Sequence, residues 1–266
     1  MMDYGGYTHL IIDKHDGIAL ITMNRPEVYN ATNARLHYEL GRIWLDIGAD
    51  TDVRAAVITG AGKAFSAGGD LDLIEGLLGD AAAVANTMKE AGDIVYNIVN
   101  LEKPVISAIN GIAVGAGLAV ALMADIAIAS EEARFTDGHI RLGVGAGDHS
   151  VIIWPLLCGM ARAKRYLLTA DFLDAKEAER IGLVSMVVPH ARLMPTAMEF
   201  ARKLADGPQP AIHWTKRALN QWLRMMGPAF DYSLATEMLT FFGPDVREGL
   251  QALRDKRRPN FPSAQA

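Results

Sequence analysis

The chain opens on two contrasting patterns. "YTHLIID" and "GIALITMN" are short runs of apolar and β-branched residues, and the "KHDG" between them carries the Asp-Gly pair of a hairpin turn. In "NARLHYELGRIWLDIGADTD" the period changes, so that Leu36, Leu40, Ile43, Trp44 and Ile47 fall on one helical face. "VRAAVITG" predicts a buried strand ending in the Gly-rich "GAGKAFSAGGDL", and a helix follows from about Asn86 to Leu101. "KPVISAING" is a strand bounded by Pro104 and Gly111, "GAGLAVALMAD" is apolar all round as a buried helix is, and "IAIAS" is another strand. Strand, helix and strand alternate to about residue 190, the pattern of an α/β layer fold. After Pro189 only helical patterns remain: "PTAMEFARKLADG", "QPAIHWTKRALNQWLRMM", "FDYSLATEMLTFFG" and "DVREGLQALRDKRR", separated by Gly and Pro. A tail so rich in Met, Trp and Phe must bury itself against the core, another subunit or both.

Composition narrows the class. The 266 residues are 50% hydrophobic, enough for one sizeable core and a smaller appendage. The apolar stretch between Asn110 and Asp125 falls short of the roughly 20 residues that span a bilayer, and the N-terminus lacks a basic segment leading into an apolar one. No membrane span and no signal peptide are expected. Net charge is −5 with no basic run longer than "DKRRPN", which argues against a nucleic-acid partner. The single cysteine, Cys158, lies in the apolar "IIWPLLCGM". It cannot form an internal disulfide or a zinc site by itself; it reads as a small buried hydrophobe in a reducing, cytoplasmic setting, with no metal expected.

The glycine clusters exclude several chemistries. "GAGKAF" lacks the upstream glycine and the Ser/Thr of a phosphate-cradling loop; "GAGLAV" lacks the third glycine of a dinucleotide fingerprint; no G-x-S-x-G or H-E-x-x-H occurs. Two strand-to-helix junctions remain, "AFSAGGDL" and "NGIAVGAGLA", where a ligand can meet bare backbone. One free N–H from each, converging on one oxygen, would stabilise an enolate or tetrahedral oxyanion; alternatively these glycines serve only tight turns and close packing. "FTDGHIRLGVGAGDHS", residues 135–150, adds two histidines and two aspartates in one loop.

Taken in order, "NRPEVYNA" (24–31), "GAGKAFSAGGDL" (60–71), "KPVISAINGIAVGAGLAVALMADIAIAS" (103–130), "ARFTDGHIRLGV" (133–144), "AERIGLVSMVVP" (178–189) and "DVREGLQALRDKRRPNF" (245–261) resemble the crotonase, or enoyl-CoA hydratase/isomerase, superfamily over nearly the whole chain. The resemblance implies an α/β fold, with a ββα spiral core over residues 1–195 and a C-terminal all-helical oligomerisation domain over 196–266 that drives trimers or dimers of trimers. It implies an acyl-CoA or related carbonyl substrate and no cofactor beyond the coenzyme A that the substrate carries. The oxyanion donors map to the N–H groups of Gly69 and Ala116; Val28, Ala31, Ala64, Ala67, Asp70, Leu71, Val114 and Leu142 fall in the acyl and CoA pocket, and Leu253 and Lys256 at the adenine end. Leu253 stands where an aromatic residue is familiar, and Val28 and Tyr29 where a basic one is.

The chain departs from the hydratases of that family at their two glutamates, replaced here by Ala119 and His139. His139 is then the expected acid/base group, with Asp148 as its partner across the loop; Asp137 and His149 read as loop or capping residues, as do Asp70 and Asp125. Three readings stay open: a hydratase/isomerase-type enzyme with replaced acid/base groups, a retro-Claisen hydrolase of a β-diketone or cyclic β-keto thioester using His139 and Asp148, and a non-catalytic acyl-CoA-binding oligomer.

Overall fold

The computed structural model describes residues 2–265. The hairpin forms at the expected turn: β1 (Leu10–His15) pairs antiparallel with β2 (Ile18–Met23), and Asp16 and Gly17 take φ of 54° and 81°. Positive φ at both central positions matches the twist of the flanking strands. α1 (Ala34–Ala49) starts where the Asn33 side chain accepts from the Leu36 N–H, and the five apolar residues of its face are all buried. β3 (Ala55–Gly60), β4 (Ala64–Ser66), α2 (Leu71–Leu77) and α3 (Ala81–Asn100) follow. α3 begins earlier than its apolar period indicates, because Asp80 caps it through the N–H groups of Ala82 and Ala83. Next come β5 (Val105–Ile109), β6 (Ile112–Val114), α4 (Gly115–Met123), β7 (Ile126–Ser130), β8 (Arg134–Thr136) and the single turn α5 (His139–Leu142). α6 (Ser150–Cys158), α7 (Met160–Thr169), β9 (Leu173–Asp174), α8 (Ala175–Arg180) and β10 (Met186–Val188) complete the strand-bearing part.

A six-stranded sheet runs β1-β2-β3-β5-β7-β10, parallel except for β1, and a four-stranded sheet runs β4-β6-β8-β9. Each of β3, β5 and β7 is followed by a short strand of the second sheet, which generates the ββα spiral. β3 is buried throughout because both its faces are covered: Ala56 and Ile58 join the core under α1 and α3, while Ala55 and Val57 join the opposite layer.

That opposite layer is α9 (Leu193–Ala205), whose Leu193, Ala197, Ala201 and Ala205 repeat along one stripe against the sheet. Residue 195, the expected division, therefore lies inside a helix that belongs to the core. α10 (Gln209–Leu219) is tied down by buried Lys216, which reaches Asp125 at 2.7 Å and the Lys103 carbonyl at 2.8 Å. Asp125 also accepts from the Val105 N–H; it is exposed and caps no helix, unlike the buried cap expected of it. α11 (Gln221–Met225), α12 (Gly227–Thr240) and α13 (Asp245–Arg254) close the chain. Among the described residues, no helix is long and apolar enough to cross a membrane.

The loop between β8 and α6 is clamped onto this tail. A Cβ on Gly147 would lie 2.1 Å from the Ser233 carbonyl oxygen, and one on Gly249 would lie 2.1 Å from that of Leu142. Ser233 Oγ donates to the Gly147 carbonyl at 2.8 Å, and the Gly147 N–H donates to Glu237 at 3.1 Å. Gly147→Ala forces these backbones apart, so urea denaturation is expected to show a loss of about 2 kcal/mol. An unchanged midpoint would mean that the loop is not held by α12.

Candidate active site

The first half of the site is backbone. Val114 precedes α4 without a side-chain cap, and the amides of the first helical turn have no intrahelical acceptor, so the Ala116 N–H is free to meet a ligand. The Gly69 N–H donates to no acceptor among the described residues. Gly115, at φ 50°, brings the two junctions together: a Cβ on it would stand 3.6 Å from Gly68 Cα and 3.9 Å from Gly69 N. Gly69 and Ala116 both line one cavity of about 690 Å³, the arrangement an oxyanion hole requires.

The second half is ionisable. His139 Nδ1 lies 2.8 Å from Asp137 Oδ1, and Ser150 Oγ donates to the other oxygen of that carboxylate. His139 Nε2 points toward Asp148 Oδ2 at 3.8 Å and Glu237 Oε1 at 3.6 Å. Asp148 gives its short contact to the neighbouring ring instead, 2.6 Å from His149 Nδ1. The expected His139–Asp148 pair is thus an ion-pair contact at 3.8 Å, longer than a hydrogen bond, and the carboxylate hydrogen-bonded to His139 is Asp137. The reason is local: Gly138, at φ 84°, turns the chain so that both the amide and the ring of His139 meet Asp137. His149 occupies the position before α6 as expected, but it is fully buried and its ring, not a cap, carries the contact.

Glu237 was not anticipated. It sits on α12 among Phe230, Ser233, Leu234 and Met238, all buried, and an acid on an otherwise apolar helical face is the signal that marks it. His37 is a second such residue: buried on α1, it lines the cavity with Nδ1 held 2.8 Å from Glu90.

Crowding these groups fixes their charges. Burial opposes a charged His139, but Asp137, Asp148 and Glu237 together outweigh it and hold the imidazole well above its ordinary value of 6.5. Burial also works against Asp148, yet His149 and His139 keep it well below the usual carboxylate range; for Asp137, His139 overcomes burial in the same way. Glu237 goes the other way: burial, reinforced by the charges of Asp148 and Asp137, pushes it up to about 8. Positive charge on His139 and negative charge on the two aspartates therefore favour one another, while negative charge on Glu237 is disfavoured. Offering atoms within 4.8 Å of one another, His139, Asp148 and Glu237 could hold a divalent cation, as could Asp137, Asp148 and His149.

Of the other expected pocket residues, Val28, Ala31, Ala67, Asp70, Leu71, Val114 and Leu142 line the cavity, as does Leu253. Ala64 is buried in β4, off the wall, and Lys256 is exposed beyond α13. Asp70 has structural work as expected: it caps α2 through the Asp72 N–H and pairs with Arg25 at 2.9 Å. Cys158 is buried, which pushes its thiol pKa up and makes it a poor nucleophile.

A model of the enoyl-CoA hydratase/isomerase family matches residues 13–264. The chain belongs to this family. It is 33% identical to a crotonyl-CoA hydratase of Syntrophomonas wolfei over 261 residues, 96% of this chain and 98% of that one. The crystal structure of an enoyl-CoA hydratase/isomerase from Mycobacterium paratuberculosis superposes with a TM-score of 0.89 at 36% identity, covering 93% of this chain and 99% of that one. A β-diketone hydrolase from the cyanobacterium Anabaena, bound to (S)-3-oxocyclohexyl acetic acid, superposes at 0.80 with 31% identity over 89% of this chain and 95% of its own. The crotonase fold and membership of a superfamily of enzymes follow.

Replacing Asp137 tests the electrostatics. Asp137→Asn removes a negative charge from beside the imidazolium, so the His139 pKa falls, by about one unit or more. Histidine-selective NMR titration reads this directly, and an unmoved midpoint would exclude Asp137 as the counter-ion.

Proposed function

We propose that this enzyme hydrolyses a carbon–carbon bond, cleaving a β-diketone by a retro-Claisen step. The convergence of His139, Asp148 and Glu237 beside the two oxyanion donors carries this reading. Water set among Nε2, Asp148 and Glu237 gives a proton to His139 in its neutral form and attacks one carbonyl carbon. The bond from that carbon to the central carbon breaks, and its electron pair passes to the second carbonyl as an enolate held by the Gly69 and Ala116 amides. The proton on His139 goes to the central carbon, and the products are a carboxylic acid and a ketone. Asp137 keeps Nδ1 as the donor, so Nε2 is the nitrogen that accepts from water. Asp148 stays ionised beside the imidazolium that forms, while protonated Glu237 can donate a hydrogen bond to the attacked carbonyl oxygen.

A hydratase of this family uses two carboxylates around its water, and the resemblance puts Ala119 and His139 at their positions, which supports another reaction here. The mouth also favours a substrate without coenzyme A. Arg254 is taken up by Glu75 at 2.6 Å and Arg25 by Asp70, so neither is free for a pyrophosphate. The hydratase relatives support a second reading, an acyl-CoA isomerase or modified hydratase in which His139 moves a proton along the acyl chain. For assembly we infer a homotrimer or dimer of trimers, since Trp214, Leu219, Trp222, Met225 and Tyr232 leave the helical tail with a largely exposed apolar surface.

Assays on acetylacetone and crotonyl-CoA separate the readings. Acetate and acetone are the expected products, and His139→Ala should slow their formation about a hundredfold or more. Hydration of crotonyl-CoA without diketone cleavage would replace this reading with the acyl-CoA one.

A further inference from the structure

The basic side chains on the cavity wall are engaged in pairs, with one exception. His37 is bound to Glu90, His139 to Asp137, and Arg254 to Glu75 and Asp72. Arg141 lines the same cavity two residues after His139, and among the described residues no carboxylate lies within ion-pair distance of it. Its guanidinium rests 4.8 Å from the centroid of the Phe172 ring, which also lines the cavity. Arg134, likewise without a carboxylate, lies 4.8 Å from that same ring.

Stacking fixes the plane of a guanidinium and leaves its edge of N–H donors open, the geometry that takes a planar carboxylate through two hydrogen bonds. A side chain already held by an aromatic ring loses little rotamer freedom on binding. Arg134, over the same ring, adds a second positive charge near Arg141, which strengthens the pull on an anion there. The opposite charge stands at the reacting end, where Asp137 and Asp148 are ionised. A substrate with one negative group is therefore repelled by Asp137 and Asp148 at its charged end and drawn to Arg141, which leaves its neutral carbonyls to face the oxyanion donors.

We propose that Arg141, seated on Phe172 beside Arg134, docks a carboxylate that the substrate carries away from its reacting carbonyls, so that the substrates are β-diketone acids. The proposal builds on the hydrolase reading above. Charge, rather than the shape of the apolar walls, then sets which way round the diketone enters.

Succinylacetone and its methyl ester share the same diketone and differ in that charge and one methyl group. The enzyme is expected to cleave the acid with a kcat/KM about tenfold or more above the ester, mostly through KM, as one charge-assisted hydrogen-bonded contact requires. Arg141→Gln should remove most of that preference, and Arg141→Lys should restore part of it. Equal handling of acid and ester by the native enzyme, or a preference that survives in Arg141→Gln, overturns the proposal. Binding to the His139→Ala protein, followed by calorimetry, separates this from the hydrolase reading. If neither compound is cleaved but the acid binds more tightly and Arg141→Gln abolishes the difference, the subsite stands and the hydrolase does not. Loss of coenzyme A binding alone in the Arg141 variant would also overturn it.

Discussion

The imidazole of His139 is bonded to Asp137 through one nitrogen and faces Asp148 and Glu237 with the other. Burying four ionisable groups together costs several kcal/mol per ion unless their charges alternate, and here they do. Burial works against a charge on either aspartate, yet His139, and for Asp148 also His149, hold both below the usual carboxylate range, while burial and the two aspartates push Glu237 up to about 8. Remove any one charge and the others must titrate. The arrangement therefore depends on three distant parts of the chain meeting within a few ångströms: the turn after β8, the glycine-rich loop and α12.

Glycine makes that meeting possible. Gly147 has no side chain to hold the loop off Ser233, and its N–H then binds Glu237 directly. The helical tail is thus more than an oligomerisation appendage, since α9 completes the core and α12 supplies an acid to the site. On another wall of the cavity, the proposed oxyanion donors, the Gly69 and Ala116 amides, come from backbone alone. On the proposed reading, backbone donors in the core and acid/base groups on loops and tail can change independently, which lets one fold carry different reactions.

How far the sequence discloses this can be followed residue by residue. The hairpin and the face of α1 are legible because turn chemistry and helical period are local. The second sheet is not, since β4, β6 and β8 are each three residues long and too short to carry a period. Gly69, Ala116 and His139 are found through ordered motifs. The partners of His139 are legible only in part: Asp148 does fold back, to 3.8 Å from Nε2, but the φ of Gly138 also puts Asp137, two residues away, on Nδ1. Glu237 lies 90 residues beyond Gly147 and is marked only by its charge on an apolar face. Its acidity emerges only when the helix packs.

The central claim, that a water proton passes through His139 to the central carbon as the carbon–carbon bond breaks, is tested most directly by isotopes. Turnover of acetylacetone in heavy-oxygen deuterated water, followed by mass spectrometry, should place one heavy oxygen in the acetate and solvent deuterium in the acetone methyl formed from the central carbon. Comparison with diketone incubated without enzyme corrects for exchange of its acidic central hydrogens and of carbonyl oxygen. Acetate carrying no solvent oxygen from cleavage would contradict attack by water and with it this account of the site.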